Sequence, residues 1–331
     1  MNVVLVLVLV VGFALLFDFT NGFHDAANAI ATSVATKVFT WRQAVVTTAI
    51  ANLVGAFLST RVASTIEHGL VTQTTQVVVL AGIVGAVSWN LVTWRLGLPS
   101  SSSHALIGGL LGAGALHGGA RAVEWRGVWD KVIEPMIASP VIGFVLGAGV
   151  MIAINWAIRT KRAVKEAQIF RTLQIISSIL VALAHGSNDA QKTMGIITLA
   201  LVAAKSLPSS APMPFWVVAV CAVAMSLGTL SGGRRIVETA GEKIVKLAPP
   251  SGFAASATSA AVIFSASALG APVSTTHVVI GGIAGVGTQV GDSLVNGRVV
   301  RAIAIAWVLT LPSAAAIGAL AYVGFRAVLG A

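Results

Sequence analysis

The chain has 331 residues, 56% of them hydrophobic and 10% charged, with a mean hydropathy of +0.91 and a formal net charge of +10. So apolar a composition excludes an ordinary soluble domain, and the positive charge then reads as cytoplasmic loops of a membrane chain. A nucleic-acid partner is set aside, because the basic residues show no aromatic interleaving and no carrying domain.

The opening run, MNVVLVLVLVVGFALLF, has no Lys or Arg ahead of it and no small-residue cleavage site after it. It reads as a retained first span rather than a signal peptide. Further apolar stretches follow near 44–58, 76–92, 136–158, 173–184, 214–230, 253–270 and 302–325. Most need only modest extension to cross a hydrocarbon core about 30 Å thick, where backbone must be helical or buried against protein. The expected fold is therefore an all-α membrane protein, multi-pass in a plasma membrane or cell inner membrane. The lone Cys221 excludes an intramolecular disulfide.

Between the apolar stretches lies RTKRAVKEAQIFR, residues 159–171, expected to be a basic cytoplasmic linker between halves 1–158 and 172–331. In the first half, crossings are expected near 3–20, 25–40, 43–61, 74–94 and 134–158. The stretch 99–117 opens at a proline, is rich in Gly and Ser, and reads as a re-entrant hairpin. A counterpart is expected near 271–290. Five crossings and a hairpin per half would turn the second half over, giving two inverted repeats.

The duplication itself is legible. GLPSSSSHALIGG from Gly97 and GAPVSTTHVVIGG from Gly270 superimpose without a gap, pairing Ser101 with Ser274, Ser102 with Thr275, Ser103 with Thr276 and His104 with His277. Near the start of each half, FDFTNGFHDAANAI and LAHGSNDAQKTMG align on Asp25 and Asp189, so that Asn28 meets Lys192.

A carboxylate near the bilayer centre costs at least about 2.5 to 3.5 kcal/mol on insertion scales, so it persists only when paired, hydrated or ligating an ion. Only five aspartates occur, and Asp18, Asp25 and Asp189 fall in these two junctions. Capping of helix ends by Asn21 and Asn188 is the plainer reading; a cation site of carboxylate, amide and freed carbonyl oxygens at a helix break is the functional one. Hard oxygen ligands suit Na⁺ or Mg²⁺, and the spacing does not favour structural zinc. The hydroxyl clusters follow a proline, as at the first turn of a half-helix, whose positive end suits a tetrahedral oxyanion. Close packing by small residues accounts better for Gly108, Gly109, Gly281 and Gly282. His104 and His277 fit equally a role holding the hairpins and direct contact with a ligand.

NGFHDAANAI, HGSNDAQKTMG and the paired Pro-Ser/Thr-His hairpins resemble the inorganic phosphate transporter (PiT) family, over nearly the whole chain. The resemblance implies an inverted-repeat transporter that carries phosphate with a coupling cation and uses no cofactor. Phosphate would sit between the hairpins near Ser101, Ser102, Ser103, Ser274, Thr275 and Thr276. Coupling would involve Asp25, Asn28, Asn188 and Asp189, with Asn21, His24, His104, His185 and His277 in support.

Sodium-coupled members carry Asn at both positions matching Asn28 and Lys192. An ammonium at Lys192 could occupy the space of one cation and pair with Asp25 or Asp189, or serve only as a structural counter-ion. In this the chain is closer to the bacterial branch, linked to proton coupling and to neutral metal-phosphate cargo such as Mg²⁺ phosphate. The expectation is secondary transport of inorganic phosphate coupled to H⁺ rather than Na⁺, by a protein that is not an enzyme and is compatible with a homo-oligomer. Two alternatives stand beside it. An intramembrane phosphoryl-transfer hydrolase would want one asymmetric constellation, and a passive anion channel gives Asp25 and Asp189 no task.

Overall fold

In the computed structural model, residues 3–67, 75–158, 163–209, 211–290 and 295–329 are described, without the side chains of 65–67 and 163–167. In chain order the helices are α1 (Val3–Ala35), α2 (Trp41–Gly55), α3 (Arg61–Glu67), α4 (Gln76–Leu96) and α5 (Ser102–Gly118). A short α6 (Trp125–Val128) leads through a π-helical turn into α7 (Glu134–Ile158). The second half has α8 (Ala163–Ala203), α9 (Phe215–Ser231), α10 (Arg234–Glu238), α11 (Pro249–Ala268), α12 (Thr275–Gly287) and α13 (Gly297–Leu329). Among the described residues, six helices are long and apolar enough to cross a membrane, or up to seven if the bent pair of α9 with Arg234–Lys243 is one span.

Two expectations are corrected here. The crossings expected at 3–20 and 25–40 are one continuous helix, α1, whose 33 residues rise about 50 Å. The crossing count used to infer inversion therefore does not follow from the helices observed. Within the expected linker, 159–162 lie outside the described residues, and from Ala163 the chain is already helical in α8. Asn21 to Asn28 and His185 to Lys192 stand inside α1 and α8, so there is no helix break in either junction and neither Asn21 nor Asn188 caps a helix. Propensity is overridden by packing: from Thr20 to Ser33 every residue of α1 is buried, which leaves the polar residues no water to turn towards.

The repeated motif builds the same bend twice. Gly97 ends α4 at φ +66°, and the Leu98 amide donates to the Thr93 carbonyl at 2.9 Å. Gly270 stands at φ +71° after α11, and the Ala271 amide donates to the Ala266 carbonyl at 2.8 Å. A left-handed glycine closes a helix because it has no Cβ to clash. Four residues later Ser101 and Ser274 cap the next helices, accepting from the His104 and His277 amides at 3.2 and 3.3 Å.

Packing exchanges elements between the halves. α5 lies on α13 and α12 on α7, while α1 packs on α9 and α8 on α2. The approach is close enough to need glycine: a Cβ on Gly285 would stand 2.0 Å from the Phe144 carbonyl oxygen, and one on Gly109 2.2 Å from that of Gly82. Outward faces are aliphatic, as at Val4, Val8, Ile152, Val308 and Leu320.

Candidate functional site

The buried middles of α1 and α8 meet the starts of α5 and α12. Burial here is complete: Asp25, Asn28, His185, Asn188, Asp189, Lys192, Ser102, Thr275 and Thr276 are all 2% exposed or less. A charge so placed must be paired.

Lys192 and Asp189 form that pair. One turn apart on α8, they are in direct contact, and the Lys192 ammonium also donates to the Ser103 hydroxyl and, at 3.1 Å, to the Val273 carbonyl. The other Asp189 oxygen accepts from the Thr275 hydroxyl at 2.9 Å and lies 3.1 Å from His185 Nε2. The sequence left Asp25 and Asp189 open as partners of Lys192; continuity of α8 decides for Asp189.

Asp25 is held by the neighbouring His24, whose Nδ1 donates to its Oδ1 at 2.8 Å, and by the Thr276 hydroxyl at 3.4 Å. The Asn28 amide donates to both the Thr275 and Thr276 hydroxyls, at 3.1 and 3.0 Å. One ligand atom each from Asp25, His185 and Asp189 lies within 4.8 Å of the others, a spacing that could hold a cation. Fixed positive charge from Lys192 already occupies one side of this cluster.

The expected phosphate residues divide by role. Ser101 and Ser274 are spent on capping, Ser103 on Lys192, and Thr275 and Thr276 on Asp189, Asp25 and Asn28. Ser102 alone of the six presents a buried hydroxyl with no partner. The Asn188 side-chain amide donates to the Ser267 hydroxyl and the Ala271 carbonyl, while its Oδ1, like that of Asn21, has no partner. The His104 and His277 rings meet each other, 4.9 Å between centroids. Asp18, one turn before Asn21, accepts from the Thr193 hydroxyl.

Sequence reasoning missed the residues that orient the histidines. His24 Nε2 lies 2.9 Å from the Thr93 hydroxyl, which in turn accepts from Ser100 at 2.9 Å. His185 Nδ1 donates to Asn52 Oδ1 at 3.1 Å, and the Asn52 amide donates to Thr229 at 3.0 Å. The available signal was an isolated Asn or Thr in an apolar helix, as at Asn52 and Thr93; only packing tells which histidine each would meet.

An all-helical chain that spans a membrane several times, and buries charge and hydroxyls where its two halves meet, has the make-up of a transporter. Residues 21–318 match the model of the Phosphate transporter family. The chain is 45% identical over 327 residues to a probable low-affinity inorganic phosphate transporter of Bacillus subtilis, covering 97% of this chain and 98% of that one. It is 46% identical over 319 residues to the protein of the same description from Rhizobium meliloti, covering 96% and 95%. A solved structure titled "The sodium-dependent phosphate transporter" superimposes with a TM-score of 0.87 at 25% identity, over 97% of this chain and 99% of that one. The chain belongs to the phosphate transporter family. It is a multi-pass plasma-membrane protein, and its family is one of transporters, not enzymes.

Proposed function

We propose that this chain is a secondary transporter of inorganic phosphate that couples uptake to H⁺ rather than Na⁺. The observation that carries the choice of ion is Lys192: its ammonium holds Asp189 and Ser103 at once, in a cluster otherwise suited to a small cation. A tethered ammonium cannot be released with the cargo, which leaves the proton as the ion able to enter and leave this site. Phosphate binds between the starts of α5 and α12, where first-turn amides and the Ser102 hydroxyl are available to an oxyanion.

Exchange of helix partners between the halves supports a pseudo-twofold, inverted-repeat arrangement in which one half rocks against the other. The solved relative's title describes sodium dependence of that protein; Lys192 is the ground for reading this chain differently. The test is labelled phosphate uptake into proteoliposomes with pH, Na⁺ and Mg²⁺ gradients imposed one at a time. Uptake driven by an inward proton gradient and indifferent to Na⁺ is expected. Uptake driven by Na⁺ at fixed pH overturns the choice of ion, and dependence on Mg²⁺ identifies a metal-phosphate complex as cargo.

A further inference from the structure

The two histidines of the repeated motif do a task that the phosphate and cation positions leave unassigned. His104 and His277 stand at equivalent places, three residues beyond the capping serines, and their rings meet at 4.9 Å with planes inclined 59°. Both are buried, at 3% and 0% exposure, and His104 Nδ1 and His277 Nε2 have no hydrogen-bond partner.

The tautomer of His277 is fixed by what surrounds it. Its Nδ1 lies 3.2 Å from the Met136 carbonyl, which can only accept, so Nδ1 carries hydrogen. In the neutral ring Nε2 is then a bare lone pair, buried with no donor. The ring also packs on Trp307, 4.0 Å between centroids at 31°, and Trp307 Nε1 donates to the Pro99 carbonyl at 3.0 Å. Burial keeps the ring neutral in the absence of an anion, and the aromatic face and carbonyl acceptor are contacts an imidazolium can use once a negative charge is near.

Charged groups near the pair come from two helices. On α8 they are Lys192, with Asp189 and His185 behind it, and on α1 Asp25 with His24. Lys192 opposes a positive charge on His104. α11 carries no charged residue, and those of α4, α7 and α13 are confined to exposed ends, at Arg95, Glu134, Arg298, Arg301 and Arg326. An anion between the starts of α5 and α12 reverses the local balance, since His104 and His277 directly follow Ser103 and Thr276 in sequence.

We infer that His104 and His277 form a shared proton site, in which a proton is taken up on His277 Nε2 and bridged towards His104 when phosphate binds between the starts of α5 and α12. The proton enters with the phosphate, no covalent bond is made or broken, and one hydrogen bond draws together the starts of α5 and α12. This inference rests on the phosphate reading above and places a proton-carrying pair beside the fixed charge of Lys192.

The test is nuclear magnetic resonance of the full chain in lipid nanodiscs with ¹⁵N-labelled histidine rings, recorded over a pH series through neutrality with and without inorganic phosphate. Phosphate binding is measured on the same samples with labelled phosphate. An imidazolium signal is expected to appear with phosphate and to be lost in both His104→Gln and His277→Gln. Trp307→Leu, which keeps both histidines, is expected to move the midpoint of that signal down by about 0.4 to 1.5 pH units, the worth of a cation–π contact. Phosphate binding without a new imidazolium overturns the inference alone. So does an imidazolium that survives both histidine variants, which assigns the proton to one of the other four histidines. Failure of the native chain to bind phosphate overturns the transport reading and this one together.

Discussion

The Lys192 ammonium on α8 donates to the hydroxyl of Ser103 at the start of α5, joining two residues 89 positions apart while Lys192 also neutralises Asp189 within its own helix. One side chain thereby ties the charged centre of the second half to the hydroxyl cluster of the first. Any change in its charge acts on both.

Lys192→Asn restores the match with Asn28 and removes the tethered charge. Asp189 keeps His185 at 3.1 Å and Thr275 at 2.9 Å, so the variant is expected to fold. Uptake by the native chain should follow the proton gradient, and uptake by the variant should follow it less steeply and gain a response to Na⁺. Flux assays with each gradient alone check this; an unchanged pH profile in the variant reduces Lys192 to a structural counter-ion.

Asp25→Asn and Asp189→Asn should each abolish coupled uptake, but their effects on folding differ. Asp189→Asn strands a buried ammonium, a loss on the order of 3 to 5 kcal/mol, whereas Asp25 is paired with His24 and a hydroxyl. The double variant Asp189→Asn, Lys192→Asn should therefore recover membrane abundance while remaining inactive. Immunoblot of membranes and uptake on the same cells decide it, and wild-type flux in either single variant refutes the assignment.

Ser102→Ala and Ser101→Ala should separate binding from capping. Ser102 has a free buried hydroxyl, so its loss removes a hydrogen bond to ligand worth roughly 0.5 to 1.5 kcal/mol, a twofold to tenfold fall in phosphate affinity. Ser101 caps α5, and its loss should cost about 0.5 to 2 kcal/mol of stability. Binding isotherms and thermal unfolding in detergent, measured on both, should show opposite patterns.

Gly285→Ala and Gly149→Ala make a matched pair in packing. A methyl at Gly285 meets the Phe144 backbone at 2.0 Å, whereas at Gly149 nothing lies within 4 Å. Overpacking costs typically about 1 to 3 kcal/mol, so Gly285→Ala should unfold at a lower temperature and Gly149→Ala should match the native chain. Equal melting temperatures would show that α7 and α12 part easily.

Membrane class, the doubled motif and the resemblance to phosphate transporters were legible in the chain because each is local: hydropathy is a property of a window, and GLPSSSSH and GAPVSTTH match residue for residue. The Gly and Ser of that motif even specify a bend and a cap by their own backbone and side-chain chemistry. Continuity of α1 through Asn21 and Asp25 was not legible, since the same polar residues that signal a break are tolerated in a helix buried on every side. Nor could the sequence tell that Thr93 would hold His24, that Asn52 would hold His185, or that His104 would meet His277. Those contacts join residues far apart in sequence, and only the packing of α1, α4, α5, α8 and α12 brings them within hydrogen-bond or ring-contact range. In a medium without water, that packing decides which buried group satisfies which, because an unpaired one is too costly to leave.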